Sequence, residues 1–61
     1  MASPRVQAVL SALADEPGLT VPEIAERTGY GTRLLHMLLW RLHDDGAVAN
    51  EGRRWFRVSA G

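Results

Sequence analysis

Three guanidinium groups crowd into five residues at Arg53, Arg54 and Arg57. A guanidinium is a planar fork of donors that matches phosphate or carboxylate oxygens two at a time, so this cluster suits the clamping of an anionic backbone. Trp55 stands among them, an apolar group able to wedge or stack beside the clamp. A second set, Thr32, Arg33, His36 and Arg41, falls on a separate segment. There arginine can pair with guanine or phosphate, histidine can donate to either, and a threonine hydroxyl can donate to a phosphate. Leu34, Met37 and Trp40 recur three apart between those polar residues. The other reactive side chains lead nowhere specific. His36 and His43 are seven apart, with no cysteine in the chain and no carboxylate three or four residues after His36, so a metal site is not expected. Ser3, Ser11 and Ser59 have no base at a recognisable spacing, and Gly29-Tyr30-Gly31 is not a phosphate loop. Neither an enzyme nor a cofactor is expected.

The elements that must carry these residues read clearly. Ser3 suits an N-cap with Pro4 at the first helical position, and Val6, Val9, Leu10 and Leu13 recur at helical spacing. Asp15-Glu16-Pro17-Gly18 then ends a first helix of about 4–15. Leu19 has room for only a very short strand. Thr20 and Glu23 form a capping box, Pro22 is tolerated in the first turn, and a second helix over about 21–28 turns Ile24 and Ala25 inward before Gly29. Thr32 is the expected cap of a third helix reaching about Asp45, with Leu35, Leu38, Leu39 and Leu42 on its inner face and Gly46 at its end. Ala47–Asn50 and Arg53–Ser59 read as strands around Asn50-Glu51-Gly52. Phe56 and Val58 are expected inward with Val48, and Trp55 and Arg57 outward.

Composition bounds the rest. Sixty-one residues make one domain, near the size at which an apolar core alone barely suffices, and 46% of the residues are hydrophobic. No apolar run approaches the roughly 20 residues that span a bilayer, and the N-terminus lacks a signal-peptide h-region, so no membrane partner and a cytoplasmic location are expected. Residues 1–29 carry two arginines against four acids, net −2; residues 30–61 carry five arginines against three acids, net +2. A pI near 6.7 confines any affinity for polyanions to local patches. The absence of lysine has a plain alternative cause in a GC-rich genome. Arg53, Arg54 and Arg57 have one too, as charges that keep an edge strand soluble.

Ile24-Ala25 followed by Gly29, the leucines of the third helix, Leu42-His-Asp-Asp-Gly-Ala-Val at its exit and Trp55-Phe-Arg-Val-Ser in the last strand are together similar to the winged-helix superfamily of bacterial and archaeal regulators, such as the multiple-antibiotic-resistance and arsenic-repressor families. The likeness covers nearly the whole chain. It implies a mainly α fold, a winged helix-turn-helix of three helices and a two- or three-stranded wing over 47–59, with the helix-turn-helix over about 20–45. It also implies double-stranded DNA as the partner. Arg33, His36 and Arg41 would then enter the major groove, while Thr32, Arg53, Arg54, Trp55 and Arg57 hold the flanking backbone. His36 and Trp40, one turn apart, with Trp55 in the wing, also resemble winged-helix domains that bind left-handed Z-form nucleic acid; the wing prolines and the asparagine–tyrosine pair of those domains are missing.

Leu34, Met37 and Trp40 depart from the polar outer face of such helices. One reading packs them under the first helix or the wing. Another makes them a docking surface for a second copy or a protein partner, since Trp, Met and Arg are enriched at interface cores. Apolar contact with thymine methyls is a third. Asp44 and Asp45 would repel phosphate if they faced it. With the chain ending soon after the wing, a homodimer would have to form through the first helix or this stripe.

Overall fold

In the computed structural model, which describes residues 3–16 and 18–58, three helices precede one antiparallel hairpin: α1 (Pro4–Asp15), α2 (Val21–Thr28), α3 (Thr32–Asp44), β1 (Val48–Glu51) and β2 (Arg54–Arg57). This is the mainly α, winged-helix-like architecture that the sequence pattern predicts. Among the described residues no helix is long and apolar enough to cross a membrane.

Local chemistry sets most of the boundaries. Pro4 occupies the first position of α1, where its missing N–H costs nothing, although the Ser3 side chain makes no cap bond. α2 starts on the expected capping box. The Thr20 backbone N–H donates to Glu23 Oε1 at 2.9 Å, and the Glu23 N–H donates to Thr20 Oγ1 at 3.4 Å. It stops at Gly29, whose φ of 78° is the left-handed conformation that glycine adopts without strain. α3 differs in detail, because Gly31 holds the N-cap position and Thr32 is the first helical residue. Its other end is a Schellman closure. Gly46 N–H donates to the His43 carbonyl at 3.0 Å, and Ala47 N–H to the Leu42 carbonyl at 2.9 Å. Pro17, expected as the stop of α1, lies outside the described residues, as does Ser59 of the expected second strand.

The inner faces of the helices meet in one core. Val9, Ile24, Leu35 and Leu39 have no exposed surface, and Leu13, Leu38 and Leu42 are buried beside them. The hairpin closes this core with Val48 inward as expected, but β2 turns the opposite face from the one expected. Its loop is Gly52-Arg53, with Glu51 opposite Arg54, Asn50 opposite Trp55 and Val48 opposite Arg57. Only Gly52 of the two loop residues has positive φ, as a two-residue type II′ turn requires. Strand side chains alternate with a period of two, so moving the turn by one residue exchanges the faces. Trp55 therefore points inward with Val48 and is buried, Phe56 is only half-buried, and Val58 is exposed.

Leu19 secures that arrangement from the far side. Its N–H donates to the Trp55 carbonyl at 3.1 Å, and the Trp55 N–H donates back at 2.8 Å, so β2 is held between β1 and a one-residue bridge. Phe56 covers this bridge on the outer face. A Cβ on Gly18 would lie 2.9 Å from the Phe56 ring, so the close approach and the φ of 82° both call for glycine there.

Candidate nucleic-acid interface

α3 emerges from the core with one exposed face, and the two sides of that face border different grooves. On the hairpin side, a groove of about 470 Å³ separates α3 from the hairpin and from the first turn of α2. His36 and Trp40 stand on its helix wall. Asn50 and Arg53 stand on the hairpin wall, with Trp55 between them, and Thr20, Val21 and Pro22 close the third side. Among the described residues no acid lines it, and Arg53 is its single charged group.

Its aromatic wall is held by three rings in mutual edge contact. Trp40 meets Trp55 at a centroid distance of 4.9 Å and an interplanar angle of 82°, and meets His43 at 5.3 Å and 68°. Such T-shaped contacts align the positive ring edge with a negative face. Trp55 is 3% exposed and Trp40 49% exposed, so one indole backs the other and leaves it open to solvent. Trp55 cannot then act as the outward wedge expected beside the wing arginines; that apolar surface belongs to Trp40.

On the α1 side, a groove of about 440 Å³ runs between α3 and the start of α1. Leu34, Met37 and Arg41 line it from α3 and Arg5 and Val6 from α1, with Asp45 at its end. The apolar stripe is thereby divided. Leu34 is half-buried against the core, Met37 is 60% exposed, and Trp40 leans the other way, toward the hairpin. Arg41 likewise belongs to a different groove from His36.

The arginines of the hairpin have unequal freedom. Arg54 donates to the Gly18 carbonyl at 2.8 Å and lies 3.8 Å from Glu23 Oε1, tying the hairpin to the segment before α2. Arg57 pairs with Val48 at the base of the hairpin, far from its loop. Arg53, in the loop, is exposed, as are Arg33 and Arg41 on α3 and Arg57 itself; among the described residues none of these four forms an ion pair. Thr32 is exposed in the first turn of α3, where unpaired backbone N–H groups favour an anion.

Near this face Glu23 is more acidic than an ordinary carboxylate. The Thr20 backbone N–H and hydroxyl both donate to it and hold its pKa below the ordinary value of 4.5, with Arg54 and Arg27 adding smaller attractions. It remains an anion, but one consumed by the α2 cap and by Arg54. Among the described residues no three His, Asp or Glu side chains gather as a metal site. Sequence reasoning missed Asn50 and the Thr20–Pro22 wall. Asn50 reads as a turn residue, and only the observed register turns it toward Trp55. No family model, curated protein or solved structure matches the chain.

Proposed function

We propose that this chain is a small winged-helix DNA-binding protein, a transcriptional or phage-type regulator acting in the cytoplasm. The observation that carries the reading is the acid-free groove shared by His36 of α3 and Arg53 of the hairpin loop. Helix and hairpin thereby offer one continuous face, largely apolar with Arg53, His36 and Asn50 along its walls and no acid among the described residues, of the kind that follows a duplex from the major groove onto its flanking backbone. Arg33 and His36 reach base edges or the phosphates beside them. Thr32, at the helix start, and Arg53 hold the backbone. Arg41 and Arg57 contribute longer-range attraction from the margins, and Arg54 steadies the hairpin through Gly18. A single module of this size covers roughly 600–1,000 Å² of DNA. Useful affinity therefore calls for two copies on neighbouring half-sites or for a partner.

The test is a titration of short mixed-sequence duplex DNA across salt concentrations. Each neutralised phosphate releases counterions, so log affinity should fall against log salt with a slope of about −0.9 per contact. Absence of binding at low salt, or a flat salt response, sinks the reading.

A second reading, a protein-docking module that binds through Leu34, Met37 and Trp40, is favoured by the 60% exposure of Met37. In that case duplex DNA fails to bind and Met37→Ala abolishes self-association or partner capture.

A further inference from the structure

We propose that the groove between α3 and the hairpin seats one unpaired nucleotide of a nucleic-acid strand, its base stacked on Trp40 and its phosphate held by Arg53. This rests on the nucleic-acid reading above and narrows it, since a regular duplex offers no free base face. Size allows it: the groove, at about 470 Å³, falls within the range of pockets that hold small organic groups, roughly 300–1,000 Å³.

Shape and stiffness favour a flat aromatic guest. Trp40 presents half of its surface to solvent while T-shaped contacts with Trp55 and His43 fix its ring, so the indole is already oriented before a ligand arrives. An ordered platform loses little freedom on binding, which is the usual advantage of a rigid aromatic contact. Pro22 and Val21 extend the apolar surface opposite. A purely apolar guest would leave two polar groups of the walls unused. Asn50 donates through Nδ2 to the Arg54 carbonyl at 3.4 Å, and its Oδ1 has no partner among the described residues. That oxygen suits an exocyclic amine or ring N–H of a base. His36 stands on the facing wall, able to meet the other base edge.

Charge selects the rest of the ligand. Among the described residues the groove holds one cation, Arg53, and no anion, so it suits a flat aromatic group that carries a single negative charge beside it. A nucleotide has that combination. Insertion is cheapest for a base that is already unpaired, because no stacking partner within a duplex has to be given up.

Three probes decide the matter: a short mixed-sequence duplex, the same duplex with one unpaired thymidine, and thymidine 5′-monophosphate. The bulged duplex should bind about 5- to 150-fold more tightly than the regular one, the factor that base–aromatic stacking supplies, and should quench tryptophan emission. Trp40→Ala should erase that preference, bringing the bulged and regular duplexes to the same affinity. Should Trp40→Ala fail to fold by circular dichroism, Trp40→Phe serves. It keeps a smaller stacking face and part of the preference, but the quenching disappears because the remaining Trp55 is buried. Equal binding of both duplexes with unchanged emission overturns the inference and leaves the DNA reading standing. Failure of both duplexes overturns the two together, and quenching by the mononucleotide alone would then reassign the groove to a free nucleotide.

Discussion

The two grooves that flank α3 are almost equal in volume, about 470 and 440 Å³, and differ in nearly everything else. The hairpin-side groove is bounded by three elements, contains one cation and no anion among the described residues, and has a wall of interlocked aromatic rings. The α1-side groove carries Arg5, Arg41 and Asp45 around a flexible Met37. Two arginines against one aspartate leave a net +1, the same as on the hairpin side, but Asp45 repels a phosphate at close range, and methionine adapts to many shapes without selecting one. Size is therefore a poor guide to which side of the helix recognises a ligand. The composition of the rim and the stiffness of the wall separate them.

The sharpest break of that comparison is structural. Trp55 supports the hairpin-side groove from beneath, being buried among the core residues, bridged to Leu19 and set against Trp40. Trp55→Ala should cost about 3–5 kcal/mol, the usual range for emptying a large aromatic site. Small domains have little more than that in reserve, so the variant should sit close to unfolding at room temperature. Met37→Ala, on the α1 side, removes an exposed side chain and should change stability by less than about 0.5 kcal/mol. Urea unfolding followed by circular dichroism measures both. Comparable midpoints for the two variants would show that the aromatic wall is not built on Trp55.

A smaller difference is expected in binding. Arg53 and Arg41 are both exposed and unpaired among the described residues, but only Arg53 borders the acid-free groove. Arg53→Ala should lower the magnitude of the log–log salt slope for duplex DNA by about 0.9, the loss of one phosphate contact. Arg41→Ala, with Asp45 in the same groove, should leave the slope nearly unchanged. Equal effects would mean that charge on either side of α3 serves, and that the grooves do not differ in function.

How much of this was legible beforehand depends on how local the cause is. Pro4, the Thr20–Glu23 box, Gly29 and Gly46 act within a few residues, and they set the helix limits as the sequence pattern predicts. The leucines of α3 declare their inner face by spacing alone. The cap of α3 came out one residue away, because glycine at position 31 adopts the extended cap geometry without using a side chain. The hairpin faces were not legible. Both strands alternate well in either register, and the choice depends on the Gly52-Arg53 loop and on Leu19 pairing from a distant part of the chain. That one reversal buried Trp55, left Trp40 as the open ring and brought Asn50 to the groove. It also explains why the apolar stripe on α3 could not be assigned from spacing: its members divide between two grooves that only tertiary packing creates.

The smallest expected effect concerns acid and the third wall of the hairpin-side groove. That wall is the start of α2, where Thr20 donates twice to Glu23 and keeps the carboxyl more acidic than its ordinary value of 4.5. A carboxylate with a depressed folded pKa contributes its full stabilisation above the unfolded value. It loses that contribution as pH falls through the folded one. Wild type should therefore melt above Glu23→Gln at neutral pH, and the gap should narrow as pH drops below 4.5. Because Arg54 is the next attraction on Glu23, and also donates to Gly18, the same protonation should loosen the hairpin. Hydrogen exchange of the Trp55 and Leu19 amides in acid would report this directly. A melting gap that stays constant from neutral pH to well below 4.5 would show that Glu23 caps α2 without its charge, and would separate the third wall from the electrostatics of the other two.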